Sequence, residues 1–592
     1  MFDAIRREAI YISSVARTFY RMRHVKPDAP TTIADVVEAV VRAHPNRPAI
    51  LYLDRTITYR EMDGWAARYA RWAQGQGVGK GDVVALLMEN RPEYLFAWLG
   101  LLKLGAVVAL INTNLRGSPL AHCISIAGAK HMVVGAELAD AYKDAAPLVS
   151  PAPAVWVTNE DGGGNLDAAL AVCSPEPFAR GPREGLLCKD KAFYIFTSGT
   201  TGLPKAANIS HLRALFMMYG FAGGLNAQPS DRMYNVLPLY HSSGGICAVG
   251  VAFTAGGSLV LRRKFSVHEF WDDCYRYKPT FFQYIGELCR YLLNAPPGPH
   301  ERDHNLRAIT GNGLRPEIWP AFQKRFAIPR IVEFYGATEG NVSMLNYDGK
   351  VGAVGRIPHY LRNVLTTRIV RFDLEHEMPV RNAEGFCIEC APGEAGEAIG
   401  KITEEPGKNF EGYTKAADTQ KKVLHDVFEK GDAWFRTGDL MKQDAEGYFY
   451  FVDRIGDTFR WKGENVATSE VSEALGVVPG IEEANVYGVS VPGMDGRAGM
   501  AALVVNGDFQ LDRLAQNLES ALPAYARPVF LRLLPHMEIT GTFKQRKVEL
   551  VKEGFDPSAI AEPLYWLDPA TYKYEPLTSA IHADICAGRV KL

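Results

Sequence analysis

A short apolar run that leads into a loop of glycines and hydroxyls, YIFTSGTTGLPKAA at residues 194–207, constrains this chain more than any other feature. The loop contains Thr197, Ser198, Gly199, Thr200, Thr201, Gly202 and Lys205. Glycines let the backbone approach a ligand closely, so the amides, hydroxyls and lysine predict a cradle for an anion, most naturally phosphate. It is not a Walker loop, because Pro204 precedes the lysine. By composition alone, an ordinary surface turn fits these residues equally well.

The order of the predicted elements indicates the fold class. From about residue 33 the chain alternates helical and strand patterns, and the apolar segments 83–87 and 106–111 predict buried strands between helices. Such alternation is typical of α/β proteins with mostly parallel sheets flanked by helices. At 592 residues the chain is too long for one hydrophobic core. We place a domain boundary near residues 453–457, where aromatic and charged residues cluster and a smaller α+β region follows.

Two other segments have a predicted local structure. Residues 95–111 are apolar but contain Lys103, so a buried helix that runs into a buried strand is favoured over a membrane span. Residues 150–165 are rich in proline and glycine, and they are predicted to form a loop.

Residues 2–24 predict an amphipathic helix. Its apolar residues fall near one face, at Phe2, Ile5, Ala9, Ile12, Ala16 and Phe19. Its basic excess comes from Arg6, Arg17, Arg21 and Arg23. Such a helix lies either on an anionic membrane surface or against the body of its own protein, and the second interpretation is slightly favoured.

Charge and cysteine content exclude several classes of function. A net charge of −2 creates no overall field that would attract nucleic acid. The nine scattered cysteines predict reduced thiols and a cytosolic setting, and the lone Cys387-x-x-Cys390 pair favours a structural role over metal binding.

The first residues carry both signs of charge and no cleavage site, so we expect no signal peptide. Gly-x-Ser-x-Gly and His-Glu-x-x-His motifs are absent from the sequence, which leaves serine and zinc hydrolase chemistry unsupported.

The run at 194–207 resembles the phosphate-loop signature of the adenylate-forming superfamily, which contains acyl-CoA synthetases, luciferases and the adenylation domains of peptide synthetases. Further motifs follow in the order of that family: LPLYHSSG at 237–244, GNGLRPEIW at 311–319, EFYGATEGN at 333–341, WFRTGDL at 434–440 and DRIGDTFRWKGEN at 453–465. The resemblance implies an N-terminal helix and linker (1–30), a large adenylation domain (31–453) and a small, mobile α+β lid domain (454–592).

The resemblance also implies roles for individual residues. Tyr335 stacks on adenine, Thr338 contacts the α-phosphate, and Glu339 helps to hold Mg²⁺, a hard cation that prefers oxygen ligands. The further residues implied in ATP or AMP binding are the loop residues 197–202, Lys205, Gly311, Gly336, Asp439 on the ribose hydroxyls, and Arg454. The acyl pocket is expected at Tyr240, His241, Tyr284 and Gly286, the hinge at Gly456, and the CoA channel at Gly463.

The catalytic lysine of the superfamily lies near the C-terminus, usually after a glycine. In this chain the corresponding segment is ITGTFKQRKVEL at 539–550. Lys544 aligns best, although Phe543 replaces the glycine, and Lys547 is a competing choice. The implied catalytic residues are Lys544, Glu339, Thr338 and Lys205.

Four segments indicate the branch of the superfamily. FFQYIGELCRYLLN (281–294), RWKGENVAT (460–468), TGTFKQRKVEL (540–550) and PLYWLD (563–568) are similar to the fatty-acid-transport-protein branch, also called very-long-chain acyl-CoA synthetases. Bacterial members are most similar, because a long N-terminal hydrophobic anchor is not seen.

The function implied is an ATP-dependent long- or very-long-chain fatty acid–CoA ligase. It forms acyl-adenylate and pyrophosphate, then acyl-CoA and AMP, and it uses ATP, Mg²⁺ and coenzyme A. The expected location is the cytoplasm, with peripheral contact on the inner face of the cytoplasmic membrane as a further expectation.

Three alternatives stay open. The chain is a fatty acid uptake or binding protein with secondary ligase activity, a ligase for another hydrophobic carboxylate such as a bile acid or carnitine, or an enzyme that transfers the acyl group to a carrier protein. The oligomeric state is not readable from the sequence, and a homodimer is one option.

Overall fold

The structure is a computed structural model that describes residues 2–197, 203–374, 376–405, 409–494, 496–538, 547–590 and 592. The chain forms two compact units. The first unit contains residues 1–314, 322–350 and 401–423, and the second contains residues 315–321, 351–400 and 424–592. The predicted domain boundary near residues 453–457 stays a prediction.

The helices, in chain order, are α1 (Phe2–Met22), α2 (Ile33–Ala43), α3 (Tyr59–Gly75), α4 (Pro92–Leu104), α5 (Gly117–Ala127), α6 (Ala139–Ala145), α7 (Asn165–Ala171), α8 (His211–Gly224), α9 (Val249–Ala255), α10 (Phe270–Tyr277), α11 (Gly286–Asn294), α12 (Trp319–Arg325), α13 (Ala416–Gln420), α14 (Thr468–Gly476), α15 (Leu511–Ala521), α16 (Val548–Glu553) and α17 (Ser579–Cys586).

The strands, in chain order, are β1 (Pro48–Tyr52), β2 (Arg55–Thr58), β3 (Val83–Leu87), β4 (Val107–Leu110), β5 (His131–Gly135), β6 (Ala154–Thr158), β7 (Lys191–Thr197), β8 (Lys205–Ser210), β9 (Arg232–Asn235), β10 (Ser258–Leu261), β11 (Phe281–Ile285), β12 (Ala308–Asn312), β13 (Ile331–Gly336), β14 (Ser343–Asn346), β15 (Gly355–Arg356), β16 (Thr367–Val370), β17 (Phe372–Asp373), β18 (Met378–Pro379), β19 (Ala395–Lys401), β20 (Val423–His425), β21 (Ala433–Gln443), β22 (Tyr448–Arg454), β23 (Phe459–Trp461), β24 (Glu464–Val466), β25 (Ile481–Val489), β26 (Ala498–Val505), β27 (Phe530–Leu533), β28 (Leu564–Leu567) and β29 (Tyr574–Pro576).

The first unit contains two mostly parallel sheets. One has the order β14-β13-β12-β11-β9-β10-β1-β2, and the other has the order β6-β5-β3-β4-β7-β8. Strands inside each sheet pair in parallel, and the pairs β13–β14, β1–β2 and β7–β8 at the edges are antiparallel. Helices connect the parallel strands, as parallel crossovers require. The expected α/β class with mostly parallel sheets is confirmed.

The apolar segment 95–111 is a buried helix followed by a buried strand, as predicted. Helix α4 is buried over almost its whole length and ends at Leu104, where Gly105 caps it with φ 89°. Strand β4 then begins at Val107. The ammonium of Lys103 is neutralised by Glu38 at 2.6 Å and Asp63 at 2.8 Å, so its charge is paired inside the protein. Among the residues that the structure describes, none of the helices combines the length and apolar character needed to cross a membrane.

The prediction of a loop over residues 150–165 is wrong in its middle. Strand β6 occupies Ala154–Thr158 and pairs in parallel with β5. The β-branched and aromatic residues Val155, Trp156 and Val157 favour a strand, and this preference prevails over the prolines and glycines around them. The proline and glycine residues lie at the two ends of the strand, where turns are required.

Helix α1 packs on the first unit, but not through its apolar face. Its buried residues are Tyr11, Ser14 and Thr18. The side chain of Arg17 donates a hydrogen bond to the carbonyl oxygen of Gly223 at 3.3 Å, which ties α1 to α8. The exposed residues include Ile5, Ile12, Phe19 and Tyr20, with 60, 52, 47 and 65% of their surface accessible. Both predicted alternatives are therefore compatible, since the helix packs on the protein and its apolar stripe faces outward.

The second unit combines several sheets with helices. A sheet of order β15-β22-β21-β19-β16, extended by β20 on β21, lies in its earlier part. Its later part has a five-stranded sheet, β25-β26-β27-β28-β29, in which only β26–β27 is parallel. Helices α14 and α15 pack beside this sheet through apolar residues such as Val471, Leu475, Leu514 and Leu518. The predicted α+β character of the C-terminal region is confirmed.

Candidate active site

Lys205 is positioned by the hairpin of β7 and β8. The two strands are antiparallel, and Thr197, the last residue of β7, pairs with Lys205, the first residue of β8. The predicted anion loop therefore connects two strands whose ends are held together. Ser198, Gly199, Thr200, Thr201 and Gly202 lie outside the described residues, and their role as a phosphate cradle stays a prediction.

Thr338 and Glu339 follow β13, and neighbouring side chains fix the backbone that carries them. The guanidinium of Arg213, on α8, donates to the carbonyl oxygen of Thr338 at 2.9 Å and to that of Ala337 at 2.6 Å. The hydroxyl of Ser242 lies 3.3 Å from the hydroxyl of Thr338. These contacts give the turn a defined orientation, so that the Thr338 hydroxyl has a fixed place near the Ser242 side chain.

Lys205 and Glu339 both contact Tyr413, which lies in a third segment of the chain. The hydroxyl of Tyr413 donates to Glu339 Oε1 at 2.8 Å. Lys205 Nζ lies 5.6 Å from the centre of the Tyr413 ring and 2.9 Å from Asp418 Oδ1. Lys205 from one predicted motif, and Thr338 and Glu339 from another, are thus brought together in the first unit.

Magnesium is implied by the family resemblance, and the residues around Glu339 suit it. Mg²⁺ in nucleotide sites is held by one or two carboxylates together with substrate phosphates. Within the part of the chain that the structure describes, Glu339 accepts one hydrogen bond, from Tyr413. A carboxylate has about four lone-pair sites, so Glu339 keeps capacity for a hard cation. Glu339 is therefore the residue that would hold the ion.

Tyr240 and His241 precede a π-helical turn, Ser243–Ala248, from which Ser242 separates them. Such turns are rare and occur frequently at functional sites. The Asn114 amide donates to the Tyr240 hydroxyl at 2.9 Å, and burial raises the pKa of Tyr240 to about 12. The ring centres of Tyr240 and His241 are 4.8 Å apart. The two rings form one aromatic surface, and its assignment to the acyl pocket stays a prediction.

Gly286 and Gly311 allow neighbouring strands to approach closely at their carboxyl ends. A Cβ atom added to Gly286 would lie 1.7 Å from the carbonyl oxygen of Gly313, and one added to Gly311 would lie 2.2 Å from that of Tyr284. Any larger residue would push these backbones apart. The two glycines are therefore required by packing, whatever contact they make with a ligand.

Glu333 is a buried carboxyl at the same edge of the sheet. It is 2% exposed, accepts a hydrogen bond from the Tyr284 hydroxyl, and accepts another from the Leu314 amide at 3.1 Å. Tyr284 is fully buried, with its hydroxyl directed at Glu333. Glu333 therefore joins β11, β13 and the turn after Gly311. Burial raises the pKa of Glu333 to about 8.

This raised pKa predicts a pH effect on stability. The folded protein keeps the Glu333 proton between its unfolded pKa of 4.5 and about 8, so folded-state stability falls as the pH rises through that window. Glu333→Gln is expected to show a smaller drop in Tm than wild type between about pH 5 and about pH 8, measured by calorimetry. Glu61→Gln is the control, since the pKa of Glu61 is lowered by its hydrogen bonds to Thr58. An equal drop in wild type and Glu333→Gln would contradict the assignment.

Asp439 and Arg454 lie opposite each other in the second unit. They are register partners on β21 and β22, with Arg454 Nε 3.7 Å from Asp439 Oδ1. The Asp439 amide donates to the Thr437 hydroxyl oxygen at 3.1 Å, which fixes this part of β21. A carboxylate and a half-exposed guanidinium side by side suit a ribose and a phosphate, and both roles stay predictions.

The segment that follows Arg454 contains the expected hinge and channel glycines. Gly456 has open space around it, since a Cβ added there would meet no atom within 4 Å. Gly463 has φ +81° and, with Lys462 at φ 51°, forms the two-residue turn between β23 and β24. Positive φ at both turn positions is the requirement of a type I′ hairpin. The roles of these glycines in rotation and in CoA binding stay predictions.

The structure bears on the choice between the two candidate lysines. Lys544 lies in residues 539–546, outside the described residues. Lys547 Nζ lies 3.0 Å from Asp457 Oδ2 and 3.0 Å from the Thr468 hydroxyl. The ammonium of Lys547 is therefore engaged in holding parts of the second unit together.

Four residues at this site are not predicted from the sequence: Arg213, Ser242, Tyr413 and Asp418. Ser242 lies within the LPLYHSSG motif, so the motif is the signal that points to it. Tyr413 and Asp418 lie about 75 residues or more from the other motifs of the first unit. Their place at the site becomes evident only once the chain is folded.

Two family models and several whole-length relatives match this chain. The family model described as AMP-binding enzyme matches residues 37–388, and the one described as AMP-binding enzyme C-terminal domain matches residues 470–544. Long-chain fatty acid transport protein 1 of Mus musculus is 42% identical, over 99% of this chain and 92% of that protein. Long-chain fatty acid transport protein 2 of Rattus norvegicus is also 42% identical, over 98% of this chain and 95% of that protein.

Solved structures share the fold. An anthranilate CoA ligase, AuaEII in complex with anthranoyl-AMP, has a TM-score of 0.74 at 20% identity and covers 88% of this chain and 96% of its own. ATP-bound MatB from Rhodopseudomonas palustris has a TM-score of 0.73 at 24% identity and covers 88% of this chain and 99% of its own. From the family matches and the whole-length relatives, the chain belongs to the AMP-binding enzyme family.

Proposed function

We propose that this protein is an ATP-dependent ligase that joins long- or very-long-chain fatty acids to coenzyme A. The reaction has two steps, formation of an acyl-adenylate with release of pyrophosphate, and transfer of the acyl group to CoA with release of AMP. The observation that carries the proposal is the meeting of Lys205, Thr338 and Glu339 at one place in the first unit. The names of the whole-length relatives support a long-chain fatty acid as the substrate.

The first step needs alignment and charge neutralisation. An oxygen of the fatty acid carboxylate attacks the α-phosphorus of ATP, the bond to the bridging oxygen breaks, and pyrophosphate leaves. Lys205 and the loop 197–202 neutralise phosphate charge, and Thr338 donates its hydroxyl to the α-phosphate. Lys544, protonated at neutral pH, stabilises the charge that develops during the attack.

Several residues orient the nucleotide in the proposed enzyme. Tyr335 stacks on adenine, Asp439 accepts the ribose hydroxyls, and Arg454 contacts the nucleotide. Gly311 and Gly336 allow the backbone to approach it. Mg²⁺ held by Glu339 supplies charge neutralisation on the phosphates when it is bound.

The second step needs a different arrangement of the chain. We propose that residues 454–592 act as a mobile lid that turns about Gly456, so that Lys544 leaves and the turn at Gly463 helps to line a channel for CoA. The CoA thiol, as thiolate, then attacks the acyl carbon of the mixed anhydride, and AMP leaves with the anhydride oxygen. The acyl chain lies against Tyr240 and His241 in the proposed pocket.

The proposal is tested by product analysis with ATP, Mg²⁺, CoA and fatty acids from medium to very long chain. Equal release of AMP and pyrophosphate with matching acyl-CoA is expected. Pyrophosphate without a thioester would indicate a carrier protein as acceptor. Turnover only with a bile acid or carnitine would show that the substrate is that acid and not a fatty acid. ATP binding without turnover would favour the alternative of an uptake or binding protein.

We also propose a peripheral contact between α1 and the cytoplasmic face of an anionic membrane. Ile5, Ile12 and Phe19 are seven residues apart and form one exposed apolar stripe. The exposed Arg6 and Arg23 lie at either end of it, which complements acidic lipid headgroups. The opposite face is fixed on α8, so the helix presents the stripe in a defined orientation.

Replacing the apolar stripe is expected to weaken membrane binding. The combined variant Ile5→Ser, Ile12→Ser and Phe19→Ser should lower the partition onto anionic vesicles, measured by co-sedimentation, by at least about tenfold, since full burial of even one such side chain contributes about 1.5–3 kcal/mol. Leu148→Ser with Val172→Ser is the matched control, because these side chains are also exposed, by 59 and 87%. Unchanged co-sedimentation of the stripe variant would leave α1 as a packing element.

A further inference from the structure

Lys205, which is proposed to bind phosphate, is paired with a carboxylate of its own chain. Lys205 Nζ lies 2.9 Å from Asp418 Oδ1, and the two side chains are only 15 and 19% exposed. An ion pair so shielded from water interacts more strongly than one at the open surface. Asp418 therefore offers the lysine an anionic partner at the place where a phosphate group is expected to bind.

Asp418 reaches this place because its segment is fixed to the strand that begins with Lys205. Residues 411–418 are called the clasp segment here. The amides of Asn208 and Thr414 donate to the carbonyl oxygens of Gly412 and Ala206, at 3.0 Å each. The carboxylate of Glu411 accepts the Ser210 amide at 2.7 Å and the Ser210 hydroxyl. Residues 411–414 of the clasp segment thus run along β8 like a short additional strand, and Asp418 follows them on α13.

The same segment holds the second charged group of the site. Tyr413 pairs with Ala207 across an antiparallel bridge, and its hydroxyl donates to Glu339 Oε1 at 2.8 Å. Burial, with the nearby Glu339 carboxylate, raises the pKa of Tyr413 above its usual value, so the hydroxyl keeps its proton and stays a donor. The clasp segment therefore contacts both the cation that faces phosphate and the carboxylate that suits Mg²⁺.

We propose that Asp418 is a resident counter-ion of Lys205 that competes with the phosphates of the substrate and promotes the release of pyrophosphate. This inference rests on the proposed function, since it requires Lys205 to contact the nucleotide phosphates. Two anions near one ammonium repel each other, so the Asp418 charge weakens the binding of pyrophosphate. ATP is therefore bound more weakly, and pyrophosphate, the first product, dissociates faster.

Asp418 could instead orient Lys205 for phosphate binding. The two roles predict opposite changes in phosphate affinity when the Asp418 charge is removed. If Asp418 only oriented Lys205 for phosphate, removal of its charge would weaken binding. If it competes with phosphate, removal of its charge strengthens binding. A gain of affinity is also a result that mere damage to the fold does not produce.

The test uses the full-length protein, with Mg²⁺ present, and two separate ligands. Inorganic pyrophosphate and AMP are titrated into wild type and Asp418→Asn by calorimetry. Asp418→Asn is expected to bind pyrophosphate about tenfold more tightly, whereas AMP affinity changes little because AMP lacks the β- and γ-phosphates. Asp418→Ala should shift pyrophosphate affinity in the same direction. Unchanged or weaker pyrophosphate binding in both variants would overturn the inference.

Two further outcomes separate this inference from the proposed function. In the Lys205→Met background, the gain from Asp418→Asn should shrink several-fold, since the lysine that it releases is absent. An equal gain in that background would overturn the claim that Asp418 acts through Lys205. A wild-type protein that binds ATP but shows no effect of Asp418 contradicts the inference alone, whereas one that binds neither ATP, AMP nor pyrophosphate contradicts the proposed function as well.

Discussion

Lys544→Ala is expected to slow acyl-adenylate formation by ~10²–10³-fold, the usual effect of removing one group that stabilises charge in a transition state. The reason is that no cation among the residues that the structure describes is assigned to the charge that develops between the carboxylate and the α-phosphate. The rate of this step is measured as fatty-acid-dependent exchange of labelled pyrophosphate into ATP. Thioester formation from supplied acyl-adenylate and CoA should stay close to the wild-type rate, because that step does not use the lysine.

Lys547→Ala is the matched control for this prediction. Lys547 is held by Asp457 and Thr468, so its removal is expected to loosen the second unit and to affect both half-reactions modestly. A selective loss of adenylation in Lys547→Ala, with normal adenylation in Lys544→Ala, would show that the two lysines are assigned in the wrong order. Survival of both half-reactions in both variants would remove the catalytic lysine from this segment.

Gly456→Pro is expected to slow thioester formation by on the order of 10²-fold, the cost typical of misplacing reacting groups by about 1 Å. Proline fixes φ near −65° and also restricts Ile455, so rotation at this point of the chain is hindered. Adenylation should fall much less, since it needs no rotation after the substrates are bound. The two half-reactions are measured separately, by pyrophosphate exchange and by acyl transfer from supplied acyl-adenylate.

Gly507→Pro provides the comparison for the hinge variant. Gly507 also lies in the second unit, in a turn after β26, and a Cβ added there would meet no atom within 4 Å. It should leave the ratio of the two rates unchanged. Equal losses of both half-reactions in Gly456→Pro would argue against a hinge at that residue and against a boundary after residue 453.

Much of the fold follows from local sequence patterns. The apolar segments at 83–87 and 106–111 are β3 and β4, and the helical pattern at 2–24 is α1, because periodicity and β-branched content act over a few residues. The strand β6 is missed since its five residues lie between prolines and glycines. The outward orientation of the α1 stripe is not readable from the sequence either. The same periodicity fits a buried or an exposed apolar stripe. Which face of α1 is buried depends on the contacts that α8 makes with it.

The residues of the candidate site also fall into two groups, those that the sequence identifies and those that only the folded chain reveals. Lys205, Thr338 and Glu339 belong to contiguous motifs with a defined chemistry, so their sequence context identifies them. Tyr413 and Asp418 reach the site because the clasp segment lies along β8, a contact between residues some 200 positions apart. Glu333 is similar, since its raised pKa comes from burial among β11, β13 and the turn before Leu314. Burial of this kind is a property of the folded chain.

The most direct test of adenylate formation follows the oxygen atoms of the fatty acid. A fatty acid with ¹⁸O in both carboxylate oxygens is incubated with the protein, ATP, Mg²⁺ and CoA, and the products are analysed by mass spectrometry. If the carboxylate attacks the α-phosphorus, each AMP formed carries one ¹⁸O atom in its phosphate and each acyl-CoA keeps the other. Unlabelled AMP, or label in inorganic phosphate, would contradict an acyl-adenylate intermediate.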